Sequence, residues 1–127
     1  MKRVKIAVPL IIAAILLVSA VSIFFLNGTE KLADEYIARI ETTAAAEDFS
    51  ACLKILSDFR SFWQKREPLY LLFVRHEEMH GIEIGIEQMI GFAQCRDKVS
   101  VMGEIYMMRA TLSHISESEL PLIENIL

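Results

Sequence analysis

The chain has 127 residues, room for one domain, and 54% of them are apolar. Its net charge is −4, and since Lys2, Arg3 and Lys5 contribute +3, the rest of the chain carries −7. Such an acidic remainder excludes a nucleic-acid partner, which would need a basic surface. It also argues against a domain that lies flat on anionic lipid.

The N-terminal segment has the composition of a membrane anchor. Residues 6–26 read IAVPLIIAAILLVSAVSIFFL and contain no charge, and about 20 such residues span a bilayer. With basic residues before the run and an acidic chain after it, we expect a cytoplasmic stub (1–5), a single transmembrane helix in contact with lipid (6–26) and an extracytoplasmic helical domain (27–127).

A cleavable signal peptide is the alternative for this segment. Val18-Ser19-Ala20 offers small residues to a signal peptidase, with cleavage after Ala20. The apolar run continues to Leu26, however, which makes it longer than a typical signal core, so a retained anchor in the cell membrane is preferred.

The rest of the chain reads as helices separated by short breaks, which predicts an all-α fold. Asn27 or Thr29 can cap the first helix, Asp48 the second and Asp97 the fourth, and Pro68 separates the second from the third. We expect the transmembrane helix to be followed by an antiparallel helical bundle or stacked helical hairpins.

Apolar residues repeat at helical spacing in each of these segments. The second helix has Phe49, Cys52, Leu53, Leu56, Phe59 and Trp63; the third, from about Pro68 to Gln94, has Leu69, Leu72, Phe73, Met79, Ile82, Ile86, Met89 and Ile90; the fourth has Val101, Ile105, Met108, Leu112 and Ile115. Ser116 and Glu119 resemble a capping box that starts a short terminal helix.

Cys52 and Cys95 are the only cysteines. An exported domain permits a disulfide, but helix lengths are expected to keep the two residues apart, so free thiols are preferred.

The sequence His76-Glu77-Glu78-Met79-His80 contains His-Glu-x-x-His. Residues four apart share a helical face, so both imidazoles can reach one Zn²⁺, and Glu77 is then the candidate general base of a small metal-dependent hydrolase. Glu83 on the same face is a candidate third ligand.

A structural role for these residues is preferred over zinc binding. The pattern is short, nothing suggests a substrate cleft, and Met79 and Ile82 place this face near the core, where we expect His76 to be buried. A structural polar cluster is then the preferred interpretation of the motif. We therefore expect no cofactor.

Several of these segments together resemble an uncharacterised bacterial family, domain-of-unknown-function family 4363, which comprises small single-pass membrane proteins. The resemblance rests on Glu47-Asp48-Phe49, Trp63, His76-Glu77-Glu78, Ile82-Glu83 and Glu124-Asn125-Ile126-Leu127. It implies that His80 stands where an acidic residue is expected, which makes the zinc-binding spacing accidental. The polar cluster of His76, Glu77, Glu78 and Glu83, which matches the family, then resembles a buried network that locks the third helix against a neighbour, with Arg39, Arg75 and Arg109 as candidate partners. The resemblance also associates the chain with the cell envelope or with sporulation.

The preferred functional hypothesis is a non-enzymatic accessory or protein-interaction module with a protein partner in or at the membrane. The alternative is a zinc-binding protein or metal-dependent hydrolase. Self-association through the anchor or through Gly81 and Gly85 is a third hypothesis.

Overall fold

The structure is a computed structural model that describes residues 2–72 and 74–126, with side chains described as far as Ile115. It consists of four α-helices: α1 (Lys2–Ala45), α2 (Phe49–Tyr70), α3 (His76–Gln94) and α4 (Lys98–Ile126). Over the residues described there is no strand, and the predicted all-α fold is confirmed.

The helices form an up-down-up-down bundle, because α1 and α3 each pack against both α2 and α4. Ion pairs between neighbouring helices show the register: Arg60 on α2 contacts Glu87 on α3, and Arg109 on α4 contacts Glu41 on α1. Short connections between such neighbours make them antiparallel. On α1 the first buried residue is Leu26. Nearly all of the apolar run therefore lies outside the bundle, and only its last residues, Phe25 and Leu26, pack against the core.

Two aspartates begin helices at the end of the bundle away from the apolar run. Asp48 Oδ1 accepts a hydrogen bond from the amide of Ala51 at 3.2 Å, and Asp97 Oδ1 accepts one from the amide of Ser100 at 3.1 Å. Each bond satisfies a backbone donor that the helix itself leaves free. The hydroxyl of Ser100 also donates to Asp97, and these bonds hold the pKa of Asp97 below its ordinary value. Both predicted caps are confirmed.

The predicted break between anchor and first bundle helix was wrong, because α1 is one unbroken helix of 44 residues. Gly28 has no positive φ. Thr29 is buried, and its hydroxyl accepts a hydrogen bond from Arg66 Nη1 at 3.0 Å instead of capping a helix. Packing against α2 therefore carries the helix through this segment, and the boundary between segments 6–26 and 27–127 lies inside α1.

The predicted border between the second and third helices was also wrong. Pro68 lies inside α2, which ends at Tyr70, and α3 begins at His76. Proline costs a helix one backbone hydrogen bond, but Tyr70 is fully buried, with its ring centroid 5.4 Å from that of Trp63. The burial of Tyr70 stabilises the helical conformation by more than the proline destabilises it. As a consequence, Leu69 and Leu72 are exposed and do not belong to the apolar side of α3.

Gly85 marks a close approach of α3 and α4. It is buried, and a Cβ atom there would lie 2.7 Å from Cε of Met108, whereas a Cβ at Gly81 would meet nothing within 4 Å. Only Gly85 therefore serves tight packing. Helix α4 continues to Ile126 without the break predicted at Ser116, and the side chains of that terminal segment lie outside the described residues.

Both cysteines are free, Cys52 buried and Cys95 exposed. They lie at the same end of the bundle, Cys52 in the first turn of α2 and Cys95 just after α3. The expectation that helix length separates them was therefore wrong. The two thiols differ in their surroundings, because Cys52 is buried and Cys95 is exposed. Burial raises the pKa of the Cys52 thiol, which makes its reactive thiolate scarce.

Candidate functional site

The His-Glu-x-x-His motif lies on the solvent-exposed side of α3. Its two imidazole rings are nearly parallel, with a 13° interplanar angle and centroids 6.4 Å apart. His80 Nδ1 is 4.0 Å from a carboxylate oxygen of Glu83, and these side chains are 63% and 47% exposed. The motif is therefore a surface feature of the first turns of α3.

The expectation of a buried His76 was wrong, because His76 and Glu77 are exposed. Met79 and Ile82 occupy the core side of α3. His80 follows Met79 by one residue, which turns it away by about 100°. Met79 and Ile82 are core residues as predicted, but the two histidines lie on the exposed side of α3 and not on the same side as these core residues.

Glu78 is the member of the polar cluster that joins α3 to another helix. Its carboxylate lies 3.1 Å from Nδ1 of His114 on α4, and its side chain is 19% exposed. His76, Glu77 and Glu83 do not extend this contact into a buried network. Arg109, one of the expected partners, pairs with Glu41 instead.

A zinc site needs at least three protein ligands from geometrically suitable positions. Among the residues described, no three His, Cys, Asp or Glu side chains come together in a way that suits a metal ion. His76 and His80 supply two candidate ligands at the surface, and Glu83 adds a carboxylate near only one of them. The arrangement is therefore an exposed polar face of α3.

The aromatic side chains of α2 belong to the core. Phe59 is fully buried and Phe62 partly buried, and both rings pack on Tyr36 of α1, with centroids 5.4 and 5.2 Å away. The guanidinium of Arg66 lies 5.1 Å above the ring of Phe62. These contacts tie α2 to α1 and place the aromatic rings of Phe59 and Phe62 in the packing between the two helices.

The outward side of α4 is the feature that sequence reasoning missed. The uncharged exposed residues on this side, which we call the outer face of α4, are Val99, Gly103, Tyr106, Met107, Ala110 and Ser113. Val99, Tyr106 and Met107 are 82%, 76% and 59% exposed. The exposed Arg109 and His114 lie beside this face and pair with Glu41 and Glu78 on neighbouring helices. The signal was in the sequence: with Val101, Ile105 and Met108 on the core side, Tyr106 has to face outward.

The other helices of the bundle differ from α4 in this respect. In their bundle portions, charged residues recur among the exposed positions: Lys31, Asp34 and Glu35 on α1, Lys54, Asp58 and Lys65 on α2, and Glu77 and Glu87 on α3. Exposed apolar side chains scattered singly are ordinary, but a contiguous set on one face indicates a binding surface.

Fold and surface together define a class of protein: a four-helix bundle, without a group of three metal-binding side chains among its described residues, carried on a helix that is long and apolar enough to cross a membrane. The chain belongs to the family called Domain of unknown function (DUF4363), whose model matches residues 20–126. No curated protein and no solved structure matches it.

Proposed function

We propose that this chain is a membrane-anchored, non-enzymatic interaction module of the cell envelope that binds a helix of another protein through the outer face of α4. In this proposal residues 6–26 cross the cytoplasmic membrane and the bundle lies outside. The basic residues before the apolar run and the charge of −7 after it support this direction.

The observation that carries the proposal is the uncharged outer face. Val99 and Tyr106 lie seven residues apart, so they stand two turns apart on one side of α4, which is the spacing of anchors in helix-to-helix recognition. Gly103 and Ala110 lie one turn before and after Tyr106. Because both are small, a partner helix can approach the backbone of α4 closely.

The orientation of α4 fits a partner that also emerges from the membrane. α1 is continuous from the apolar run into the bundle, and α4 packs alongside it in antiparallel direction. The outer face of α4 therefore runs roughly along the axis of the anchor. A helix leaving the bilayer beside α1 can pack along it lengthwise.

Site-specific photocrosslinking in native membranes tests the proposal. A photoreactive amino acid in place of Tyr106 is expected to give one discrete adduct with a second protein, and the same group at Lys54, exposed on α2, is the matched control. The Tyr106→Glu/Met107→Glu variant should fail to co-purify that protein. An adduct with twice the mass of the chain would replace the proposal with self-association, and equal labelling from both positions would contradict it.

Metal analysis of the purified chain tests the non-enzymatic part. After incubation with zinc and desalting, we expect less than stoichiometric metal and the same amount in His80→Ala, because the two imidazoles lack a third ligand among the residues described. One zinc per chain that disappears in His80→Ala would favour the hydrolase hypothesis instead.

A further inference from the structure

The bundle begins where the apolar run ends, with no spacer between them. α1 is helical from Lys2 to Ala45, the apolar run reaches Leu26, and Leu26 is already buried in the bundle. The run is about 32 Å long at 1.5 Å per residue, close to the thickness of a bilayer core. If α1 spans a membrane, one end of the bundle rests on it.

Side-chain contacts show which end this is. The ring of Phe25 lies 5.8 Å from that of Tyr70, the last residue of α2. The guanidinium of Arg66 lies 5.6 Å above Phe25 and donates a hydrogen bond to Thr29. The C-terminal turn of α2 is therefore level with the end of the apolar run, and the connection to α3 continues from there.

The residues at this end are apolar and face solvent. Leu69, Leu71 and Leu72 are 51%, 38% and 73% exposed. Transfer of leucine side chains from water into an apolar phase is favourable. In water, the exposed parts of these three leucines contribute no hydrophobic stabilisation. At the surface of a bilayer they would be level with the hydrocarbon boundary.

The charges around these leucines balance. Residues 65–78 contain three basic residues and three acidic residues: Lys65, Arg66 and Arg75, and Glu67, Glu77 and Glu78. Because this segment has no net charge, no net attraction to anionic headgroups is expected. Arginine and lysine can keep their heads among the phosphates while their stems lie deeper. Association of this end with lipid therefore depends on the leucines and on the covalent continuity with α1.

We propose that Leu69, Leu71 and Leu72 form a second membrane contact, which inserts into the same leaflet from which α1 emerges and holds the bundle upright on the bilayer. The occupant of this surface is lipid hydrocarbon at the interface. The inference rests on the proposed function, because it requires that α1 crosses the membrane.

Depth-dependent quenching tests this with the full chain in phosphatidylcholine vesicles. In a Cys95→Ser background, an environment-sensitive fluorophore is attached to Leu72→Cys. The matched control is Val99→Cys, 82% exposed at the opposite end of the bundle, and Leu16→Cys reports on the anchor. The remaining Cys52 is buried and labels slowly. Helicity of each variant is checked by circular dichroism.

Quenchers placed in the lipid chains near the headgroups are expected to act severalfold more strongly on the probe at Leu72 than on the probe at Val99. Quenchers placed near the ends of the lipid chains, at the centre of the bilayer, are expected to act severalfold more strongly on the probe at Leu16 than on the probe at Val99. Quenching at Leu72 should be equal in vesicles with and without anionic lipid, because the local charges cancel. If the probe at Leu16 is quenched but the probe at Leu72 is quenched no more than the probe at Val99, the second membrane contact is contradicted and the anchor is not. No quenching at Leu16 overturns the anchor itself, and with it the proposed function.

Discussion

Replacing Trp63 with alanine is expected to lower the free energy of unfolding of the bundle by about 3–5 kcal/mol. Trp63 is 1% exposed, and its ring packs against Tyr70, which in turn contacts Phe25 of α1. Alanine would leave a cavity between α1 and α2 that these rings cannot fill. The loss is a large share of the 5–15 kcal/mol that usually stabilises a small domain.

Cys52 provides the measurement, since it is fully buried in the native bundle and becomes reactive when the bundle opens. Pulse labelling of Cys52 against urea, with the full chain in a mild detergent, gives the unfolding midpoint. Trp63→Phe is the control: Nε1 of Trp63 has no hydrogen-bond partner among the residues described, so phenylalanine removes an unsatisfied donor and only part of the volume. Equal midpoints for wild type and Trp63→Ala would show that this core position does not hold the bundle together.

Placing two arginines in the apolar run is expected to prevent its insertion into the membrane. Ile12→Arg and Leu16→Arg lie near the centre of the run, where each arginine costs about 2.5–3.5 kcal/mol, so the pair costs about 5–7 kcal/mol. The chain should move from the alkali-washed membrane pellet to the soluble or degraded fraction.

The control for this variant adds the same charge elsewhere. Tyr106→Arg/Met107→Arg changes two exposed residues of α4 and should leave the chain in the pellet. If Ile12→Arg/Leu16→Arg also stays in the pellet after alkali washing, the apolar run is not what holds the protein there.

Much of the fold was predictable because local signals and packing agree. The core residues of the fourth helix repeat at heptad spacing, and all of them from Val101 to Ile115 are buried. Asp48 and Asp97 cap helices as their position before apolar periodic segments predicts. These features need only neighbours in sequence, which is why the sequence alone indicates them.

Several of the residues that carry the family resemblance end a helix, cap a helix or lie in the core. Glu47 takes a left-handed φ of 57° at the end of α1, Asp48 caps α2, and Phe49 is buried in its first turn. Trp63 and Ile82 are core residues. The resemblance therefore identifies a fold and does not by itself identify a site.

The errors arose where tertiary packing overrides a local signal. Gly28 and Pro68 are ordinary helix breakers, yet both lie within helices. Burial of Thr29 and Tyr70 between α1 and α2 stabilises the helical path through them, and such contacts join residues about forty positions apart. No local pattern reports on them.

The site was harder to predict than the fold. The spacing of the two histidines matches that of zinc proteins, but the spacing does not show whether a third ligand lies nearby. The outer face of α4 has no motif at all. What distinguishes it is that uncharged residues predominate on the side of α4 opposite its core residues. This is recognised only when the exposed residues of all four helices are compared with one another.

The central claim is that the N-terminal helix stays in place and holds the bundle outside the cell. Labelling of Cys95 in intact cells tests it, because this exposed thiol lies at the end of the bundle farthest from the apolar run and Cys52 is buried. After treatment with a membrane-impermeant maleimide polymer, the membrane-bound chain should gain one polymer mass, and Cys95→Ser should gain none. Labelling of Cys95 only after the cells are broken open would contradict the claim.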